Sequence, residues 1–506
     1  CIGVGTTIPA NEEWEGSPAR ITEERLLPIY DPTQRPSRRR LAAFAIGQSC
    51  LVALLAALES VPFMIIAFSL YNSSEGLFEY LLEPLYAIGL VLLACAQALL
   101  IKWASIGKLK EGTFKYPGFY WLRKWFADKH LELMSSTLVP IYDSLFTRVW
   151  CQALGMKCGP RCEIALPRRM PYDLVEMGKE SFLASEVSIG MPIRRNGSIT
   201  LTRTIIGERV FLGNDSVVPQ GSKIPDESLL GVLSASPAPE IMGDETEQAW
   251  LGSPAFRMPR RQVTDTFGIE KTYRPLKRLY VERLFHEAFR IALPSMFSLM
   301  LAALFIETFV EIWDRHSIVL SVLTLPILYL LTAVLGAVIC LICKWIFVGK
   351  YKPSVQPLWS RQVWNVETYS AILHDFGVPL FALPLVGSPM MSALMRFLGA
   401  KVGHRVFMNS TDFTETDLIS IGDDVAINAN APLQAHLFED RVMKIGPITI
   451  GDRCSVGTYS VILCESELKH DAHIGDLSLV MKGETIPSHT YWAGSPAQID
   501  QNAGRK

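Results

Sequence analysis

An aliphatic side chain recurs at every sixth position near the C-terminus. The series runs from Ile450 through Val456 and Ile462 to Ile486. An α-helix repeats its apolar face every 3.6 residues and a β-strand every 2, so neither element explains a period of six. This period is typical of a parallel β-helix, in which each aliphatic points into a narrow prism. Glycine after several of these aliphatics fits a corner that needs a positive φ or has no room for a Cβ.

The same period occurs earlier, between Met177 and Leu230, so the chain contains two prisms. A longer self-similarity frames them, because the segment Trp-x-Gly-Ser-Pro-Ala begins at Trp14, Trp250 and Trp492, with spacings of 236 (250 − 14) and 242 (492 − 250) residues. The pattern indicates tandem duplication of one unit. Its first copy is a stub, and the chain opens on Cys1. We therefore expect residues 1–20 to be the C-terminal tail of a truncated first prism in a longer protein.

Long apolar runs separate the prisms. Residues 41–70 and 81–101 form one pair, and residues 291–312 and 318–347 form another. Each run is long enough to cross a bilayer core of about 30 Å. The alternative is a buried helical hairpin in a soluble protein. Lysine and arginine concentrate on the prism side of the runs, which predicts hairpins in the plasma membrane and prisms in the cytoplasm.

These patterns predict an order of segments along the chain. After the stub we expect a basic linker at 21–40, a transmembrane hairpin at 41–101, an interfacial helical segment at 102–150, a middle prism at 151–255, a linker at 256–290, a second transmembrane hairpin at 291–348, a second interfacial helical segment at 349–396, a last prism at 397–500 and a tail at 501–506.

Composition excludes some classes of function. The formal net charge is −2, so the chain has no basic footprint for nucleic acid. The ten cysteines are scattered without Cys/His ligand spacing, which fits a reducing cytoplasm and predicts no metal site.

Hexapeptide prisms closed by Trp-x-Gly-Ser-Pro-Ala resemble the left-handed β-helix acyltransferases, over about residues 155–255 and 398–498. The resemblance implies prisms that trimerise, an acyl thioester in the groove between them and a histidine base on or beside a loop. In the last prism the six-residue period breaks between Leu433 and Ile450, and His436 stands where that family carries its base. Imidazole suits proton removal from an amine or hydroxyl near neutral pH.

Two sets of neighbours complete the predicted site. Glu439, Asp440 or a backbone carbonyl could fix the imidazole tautomer. The residues expected to bind substrate are Asn430, Gln434, Glu439, Asp440, Asp412 and Glu415. The residues expected to line a thioester or pantetheine groove, by the same resemblance, are His489, Trp492, Gly494, Ser495 and Pro496.

The middle prism departs from this pattern. The offset of 244 between the two prisms places Pro192 at the position of His436 (436 − 244 = 192), and proline cannot accept a proton. Residues 409–452 carry two basic and eight acidic side chains, 2 − 8 = −6, whereas residues 165–208 carry six and five, 6 − 5 = +1. One hypothesis is an acidic field that concentrates a cationic acceptor; the other is a set of solvated corner residues.

Tandem prisms alternating with paired helices resemble the C-terminal region of the ε-poly-lysine synthetase family of nonribosomal peptide synthetases. That resemblance implies tandem left-handed parallel β-helix domains alternating with transmembrane α-helical hairpins, and an internal pseudo-trimer of prisms. It also implies amide-bond formation between an amino acid held as a thioester on an upstream carrier domain and a basic amino acid or its oligomer. The phosphopantetheine belongs to that carrier, so this region binds no cofactor itself. The alternatives are a membrane-bound hexapeptide acetyltransferase using acetyl-coenzyme A and a non-catalytic membrane scaffold that docks carrier domains.

Overall fold

The computed structural model describes residues 7–9, 14–16, 19–21, 36–71, 77–167, 170–195, 197–259, 267–439 and 441–500. These residues fall into two compact units, whose main bodies are Ile21–Arg261, here the middle unit, and Gln262–Lys506, here the last unit. Most of the predicted stub and basic linker, and the whole predicted tail, lie outside the described residues.

Helices occupy the predicted membrane and interfacial segments. They are α1 (Arg38–Tyr71), α2 (Leu77–Ser105), α3 (Phe119–Leu133), α4 (Ser135–Leu138), α5 (Leu145–Ala153), α6 (Pro239–Met242), α7 (Lys277–Arg315), α8 (Ile318–Phe347), α9 (Arg361–Ala371) and α10 (Pro389–Phe397). A π-helical stretch, Ile372–Ala382, continues α9. Helices α1, α2, α7 and α8 each contain a segment long and apolar enough to cross a membrane.

The second hairpin begins earlier in the chain than its apolar run predicted. The expected linker at 256–290 is corrected, because α7 already begins at Lys277. Before its apolar run the helix carries Glu287, which pairs with Arg283 at 3.2 Å and Arg290 at 2.8 Å. Ion pairs at these spacings stabilise a helix outside a continuous apolar run, which is why hydropathy alone misplaced the boundary.

The middle prism is a stack of parallel coils. Met177 pairs with Ile206 and Ile206 with Ile224, so one coil takes 18 residues (224 − 206) and another takes 29 (206 − 177). Its strands are Lys157–Cys158, Glu163–Ile164, Val175–Met177, Phe182–Leu183, Ser188–Ile189, Thr204–Ile206, Phe211–Leu212, Val217–Val218, Lys223–Ile224, Leu229–Leu230, Ala249–Leu251 and the antiparallel closing strand Phe256–Met258.

The last prism has the same coils. Ile421 pairs with Ile450, a coil of 29 residues, and Ile450 pairs with Leu468 and Leu468 with Ile486, each a coil of 18. Its strands are Lys401–Val402, Phe407–Met408, Ile419–Ile421, Ala426–Ile427, Leu433–Gln434, Ile448–Ile450, Ser455–Val456, Val461–Leu463, Glu467–Leu468, His473–Ile474, Leu479–Val480, Thr485–Ile486, Tyr491–Ala493 and the closing strand Gln498–Ile499.

The period of six corresponds to the prism core. Ile450, Val456, Ile462 and Ile486 are all at most 1% exposed. The glycines that follow these aliphatics were expected either to need a positive φ or to have no room for a Cβ. Lack of room is confirmed for Gly457, because a Cβ there would lie 2.5 Å from the backbone of the next coil. The parallel register therefore confirms a hexapeptide-repeat β-helix, and its left-handed winding stays a prediction of the sequence.

An antiparallel ribbon leaves each 29-residue coil. In the last unit this ribbon, the last arm, consists of His436–Glu439, Val442–Ile445 and Ser354–Pro357. In the middle unit the middle arm consists of Ile193–Arg195, Ser198–Leu201 and Gly112–Lys115. The predicted helical segments at 102–150 and 349–396 thus each contain a strand. Their partners lie far away along the chain, so local sequence did not reveal them.

A buried ion pair links each membrane hairpin to its prism. In the middle unit Lys102 of α2 lies 3.0 Å from Asp173, and in the last unit Lys344 of α8 lies 2.8 Å from Asp417. Each aspartate sits in a short 3-10 turn, Tyr172–Leu174 or Thr416–Leu418, directly before the prism strand Val175–Met177 or Ile419–Ile421. The internal repeat therefore preserves a junction as well as a core.

Candidate active site

The structure joins two predicted site residues in a dyad. Nδ1 of His436 lies 3.0 Å from each carboxylate oxygen of Glu415. The Glu415 side chain is fully buried, and the His436 side chain keeps 24% of its surface exposed. Because a carboxylate accepts hydrogen bonds and does not donate them, Nδ1 carries the hydrogen. Nε2 is then the nitrogen that can take a proton from a substrate.

Backbone geometry places Glu415 at this point. Its φ is +41°, a left-handed conformation that is uncommon for a residue other than glycine. It precedes the turn Thr416–Leu418, in which Thr416 Oγ1 donates to the Leu398 carbonyl at 2.6 Å and Asp417 pairs with Lys344. Strained residues of this kind persist where surrounding contacts fix them and are frequent at functional sites. The junction with α8 therefore also positions the carboxylate.

Electrostatics favour a protonated imidazole in the free site. Burial alone lowers the pKa of His436, but the charge of Glu415 and its hydrogen bond raise it, and Glu367 and Asp412 raise it further. The net result is a pKa above the usual value for histidine. Burial, and then the charge of Glu415, raise the pKa of Tyr351 well above its usual value, so this phenol stays neutral beside the dyad.

Gln434 lies two residues before His436, at the end of its strand. Its amide oxygen is buried and has no hydrogen-bond partner among the described residues. A buried acceptor without a partner is costly, so a substrate N–H is its natural complement. Asp412 and Asn430 are both exposed, and Asn430 occupies a corner with a φ of +47°.

Most of the acidic residues counted in the sequence have structural partners. Glu439, expected to fix the imidazole tautomer, instead bonds to Lys444 and lies 3.7 Å from Lys482; Glu415 takes its expected place. Asp424 pairs with Arg405. Asp423 and Asp452 each accept a backbone N–H of a neighbouring coil, at 2.7 and 2.8 Å. Asp440 lies outside the described residues. Fewer acidic side chains can therefore attract a cation beside His436 than the net charge of −6 for residues 409–452 suggested.

The predicted groove residues lie on the final coil and closing segment. Trp492 Nε1 donates to Thr490 Oγ1 at 3.0 Å, and Gly494 N donates to Ser478 Oγ at 2.9 Å. Ser495 is buried, and the Ser495–Pro496 bond is cis. His489 is 69% exposed and lies 3.6 Å from Asp471. The role of these residues in binding a thioester stays a prediction.

Two groups of side chains resemble metal ligands, although the sequence predicts no metal site. The ligand atoms of His470, Asp471 and His489 lie within 4.8 Å of one another. Arg453 already donates to both Asp471 oxygens at 2.7 Å, so that carboxylate is satisfied without a metal. The expected lack of CxxC pairs and ligand spacing among the cysteines is wrong at one place, because Cys340 and Cys343 have CxxC spacing on α8, and both are free and buried. A structural zinc site needs four ligands, which this pair alone does not supply.

The middle prism lacks the side chains of this site. Strand pairing fixes the offset of 244, because Leu433 pairs with Ile462 as Ile189 of the middle prism pairs with Val218. At that offset His436 corresponds to Pro192, Glu415 to Pro171 (415 − 244) and Gln434 to Gly190 (434 − 244). The middle prism thus has no counterpart of the predicted base, of the carboxylate that contacts it or of the buried acceptor.

Comparison with known proteins places this site in context. The chain is 32% identical over 519 residues to delta-poly-L-ornithine synthetase from Acinetobacter baumannii (strain AB307-0294). The alignment covers 98% of this chain and 38% of that protein, so the chain spans little more than a third of the relative's length. No protein-family model matches the chain.

Solved structures similar to parts of the chain are acetyltransferases. A hexapeptide-repeat-containing acetyltransferase from Vibrio cholerae is 22% identical, with a TM-score of 0.20, over 24% of this chain and 85% of that one. Galactoside acetyltransferase in complex with coenzyme A is 24% identical, with a TM-score of 0.17, over 22% and 68% of the two chains. The β-helix fold itself is shown by the parallel register of the coils in this chain.

Three contributors to the site were not singled out in the sequence as site residues: Glu367 of α9, Tyr351 and Lys344. The sequence could have indicated Lys344, because it matches Lys102 across the repeat and so marks a position with the same residue in both units. Glu367 carried none, because its effect on His436 depends on where α9 packs in the folded last unit.

Proposed function

We propose that the last prism catalyses acyl transfer from a thioester to an amine, as part of a membrane-bound poly-amino-acid synthetase. The observation that carries the proposal is the pairing of the half-buried His436 with the buried carboxylate of Glu415. The similarity to delta-poly-L-ornithine synthetase supports the reaction class. Under this proposal the prisms face the cytoplasm, and the phosphopantetheine thioester is supplied by a carrier domain of the same polypeptide. Prisms of the chain would form an internal pseudo-trimer around the groove.

The chemistry follows from the protonation states. The acceptor attacks as the free amine, after its ammonium form has lost one proton to solvent. As the amine lone pair bonds to the thioester carbonyl carbon, Nε2 of neutral His436 takes the second proton from that nitrogen. Glu415 stabilises the imidazolium that forms. As the carbon–sulfur bond breaks, the sulfur leaves and takes the proton back from Nε2. The products are an amide and a free thiol, and His436 is neutral again. Gln434 would accept an N–H of the substrate and hold it against the base.

A direct assay tests the proposal. The purified chain in detergent or nanodiscs would be given the pantetheine thioester of ornithine or lysine together with the free amino acid. Thiol release and the amide product, measured by mass spectrometry, should appear together. Thiol release without amide would indicate hydrolysis and would contradict acyl transfer to an amine.

The acceptor is proposed to be a cation, attracted by the carboxylates of Asp412 and Glu367, whose charges act on the dyad. Asp412 is exposed, Glu367 is half-buried, and both act on His436. Raising salt from 0.1 M to 1 M shortens the Debye length from about 10 Å to about 3 Å. We therefore expect the apparent acceptor affinity to weaken over this range, and the double variant Glu367→Gln/Asp412→Asn to weaken it at low salt. Saturation curves at each salt concentration measure both effects.

The control removes two exposed carboxylates elsewhere, through Glu467→Gln and Asp244→Asn. It should keep the wild-type affinity and salt dependence. Flat salt curves for the wild type, or equal losses in the control, would show that the acceptor is not recognised as a cation at this site.

The middle prism is expected to stay inactive after a single change. Pro192→His supplies an imidazole, but Pro171 leaves it without an orienting carboxylate, and Arg194 repels a cationic acceptor. In a chain that also carries His436→Ala, the substitution should produce no detectable amide in the thioester assay. If Pro192→His alone restored amide formation, a histidine at this position would not need an orienting carboxylate such as Glu415.

A further inference from the structure

The middle unit contains a cavity of about 240 Å³ between helix α3 and the middle arm. One wall is formed by α3, and Arg194 and Ile199 of the arm form the other. The residues of the α3 wall are Trp121, Lys124, Trp125, Asp128, Lys129 and Glu132. Arg194 and Ile199 are opposite each other in the strand register. The proposed acyl transfer does not use this cavity.

One wall of the cavity is aromatic and reaches the membrane hairpin. The rings of Trp121 and Trp125 are nearly parallel, at 9°, with centroids 6.4 Å apart. Trp121 also contacts Tyr116 at 4.9 Å and Phe44 of α1 at 5.6 Å. Phe44 lies within the first turns of α1, a helix that can cross a membrane, just after the exposed residues Arg38–Arg40. Tryptophan is enriched where a membrane meets water, so this aromatic wall suits the headgroup level of a bilayer.

The charges of the cavity leave one cation unneutralised. Lys124 pairs with Asp128 at 2.5 Å, and Lys129 pairs with Glu132 at 3.0 Å. Arg194 is exposed and has no ion pair among the described residues. The last unit does not repeat this arrangement: Arg194 corresponds to Phe438 (194 + 244) and Trp125 to Glu367 (125 + 242). The cavity therefore selects an anion that also offers apolar surface, and it does so only in the middle unit.

We propose that this cavity binds the headgroup of an anionic phospholipid, with its phosphate at Arg194 and its glycerol backbone against the two tryptophans. Anionic lipids attract basic residues at the membrane surface, and the bilayer supplies them beside α1 at high local concentration. The inference depends on α1 lying in a membrane and is independent of the acyl-transfer chemistry.

The test uses the whole chain in nanodiscs of phosphatidylcholine with increasing phosphatidylglycerol, brominated in its acyl chains to quench tryptophan. Quenching should saturate at a low fraction of phosphatidylglycerol, and the difference between wild type and Trp125→Phe isolates the contribution of the cavity. In Arg194→Gln the half-saturating fraction should rise about fivefold, the effect of one charge near the surface. Lys223→Gln, which removes an exposed charge from the middle prism, should match the wild type.

Three outcomes would overturn the proposal. The first is equal quenching by brominated phosphatidylcholine, which would show unselective lipid contact. The second is identical curves for Arg194→Gln and Lys223→Gln, which would show that the charge in the cavity does not matter. The third is complete displacement of phosphatidylglycerol by soluble glycerol phosphate, which would make the site one for a free phosphate ester.

Discussion

Replacing His436 with alanine should lower the rate of amide formation by about 10² to 10⁴, the usual contribution of a general base. The side chain is half-buried at a break in the prism, so its removal leaves the six-residue core and the membrane helices unchanged. Amide formed per minute in the thioester assay measures the effect. Thermal unfolding followed by tryptophan fluorescence should show that the variant is folded. A variant that is folded and turns over at the wild-type rate would exclude His436 as the base.

Glu415→Gln separates the charge of the dyad from its hydrogen bond. Glutamine can still accept from Nδ1, so the imidazole keeps its orientation, but the negative charge that raises the pKa of His436 is gone. The base works when neutral, so the wild-type rate should rise as pH rises through this elevated pKa. In Glu415→Gln that rise should move to lower pH, and the maximal rate should fall roughly 10- to 100-fold, as is common when an orienting partner is changed.

The pH profile is decisive because a merely structural role would not move it. Glu439→Gln is the matched control: it also removes one carboxylate from the last unit, but from a residue of the last arm that bonds to Lys444. Its profile should coincide with that of the wild type. If Glu415→Gln and Glu439→Gln gave the same profile, Glu415 would be a structural residue and the dyad would have no catalytic meaning.

The sequence revealed the elements that repeat. The six-residue period identified the core, as the burial of Ile450 and Ile462 confirms, and the break after Leu433 identified the arm that carries His436. Apolar runs located α1, α2, α7 and α8 but not the start of α7, where ion pairs extend the helix. The offset of 244 showed that the middle prism lacks the histidine.

Contacts between residues on neighbouring coils could not be predicted from the sequence. Glu415 precedes Ile421, where the 29-residue coil begins, and His436 lies on that coil, 21 residues after Glu415 (436 − 415). The stacking of neighbouring coils, and the point where the extra residues leave the longer one, therefore decide which carboxylate meets the imidazole. Glu439, three residues from His436, was the simpler expectation, but it lies beside Lys444 on the neighbouring strand. The strand Ser354–Pro357 could not be foreseen either, because its partner Val442–Ile445 is about 90 residues away (445 − 354 = 91). Such pairings come from tertiary geometry and leave no local signature.

The junction of hairpin and prism should control both stability and the dyad in the last unit. Lys344→Met leaves Asp417 buried without its cation, and breaking a buried pair in this way costs about 3–5 kcal/mol. The midpoint of chemical or thermal unfolding should fall accordingly. Lys344→Met/Asp417→Leu, which removes both charges, should recover much of the loss, because an apolar pair has no buried charge to leave unpaired.

The two copies of the junction distinguish stability from function. Asp417 lies two residues after Glu415, whereas Asp173 lies two residues after Pro171, so only the last junction holds a catalytic carboxylate. Lys102→Met should destabilise the middle unit through Asp173, yet leave the pH profile of amide formation unchanged. Lys344→Met, assayed at a temperature where the chain is still folded, should lower the rate and shift the profile, because the turn that presents Glu415 loses its anchor on α8. Identical profiles for the two variants would mean that the α8 junction supports the fold without positioning the dyad.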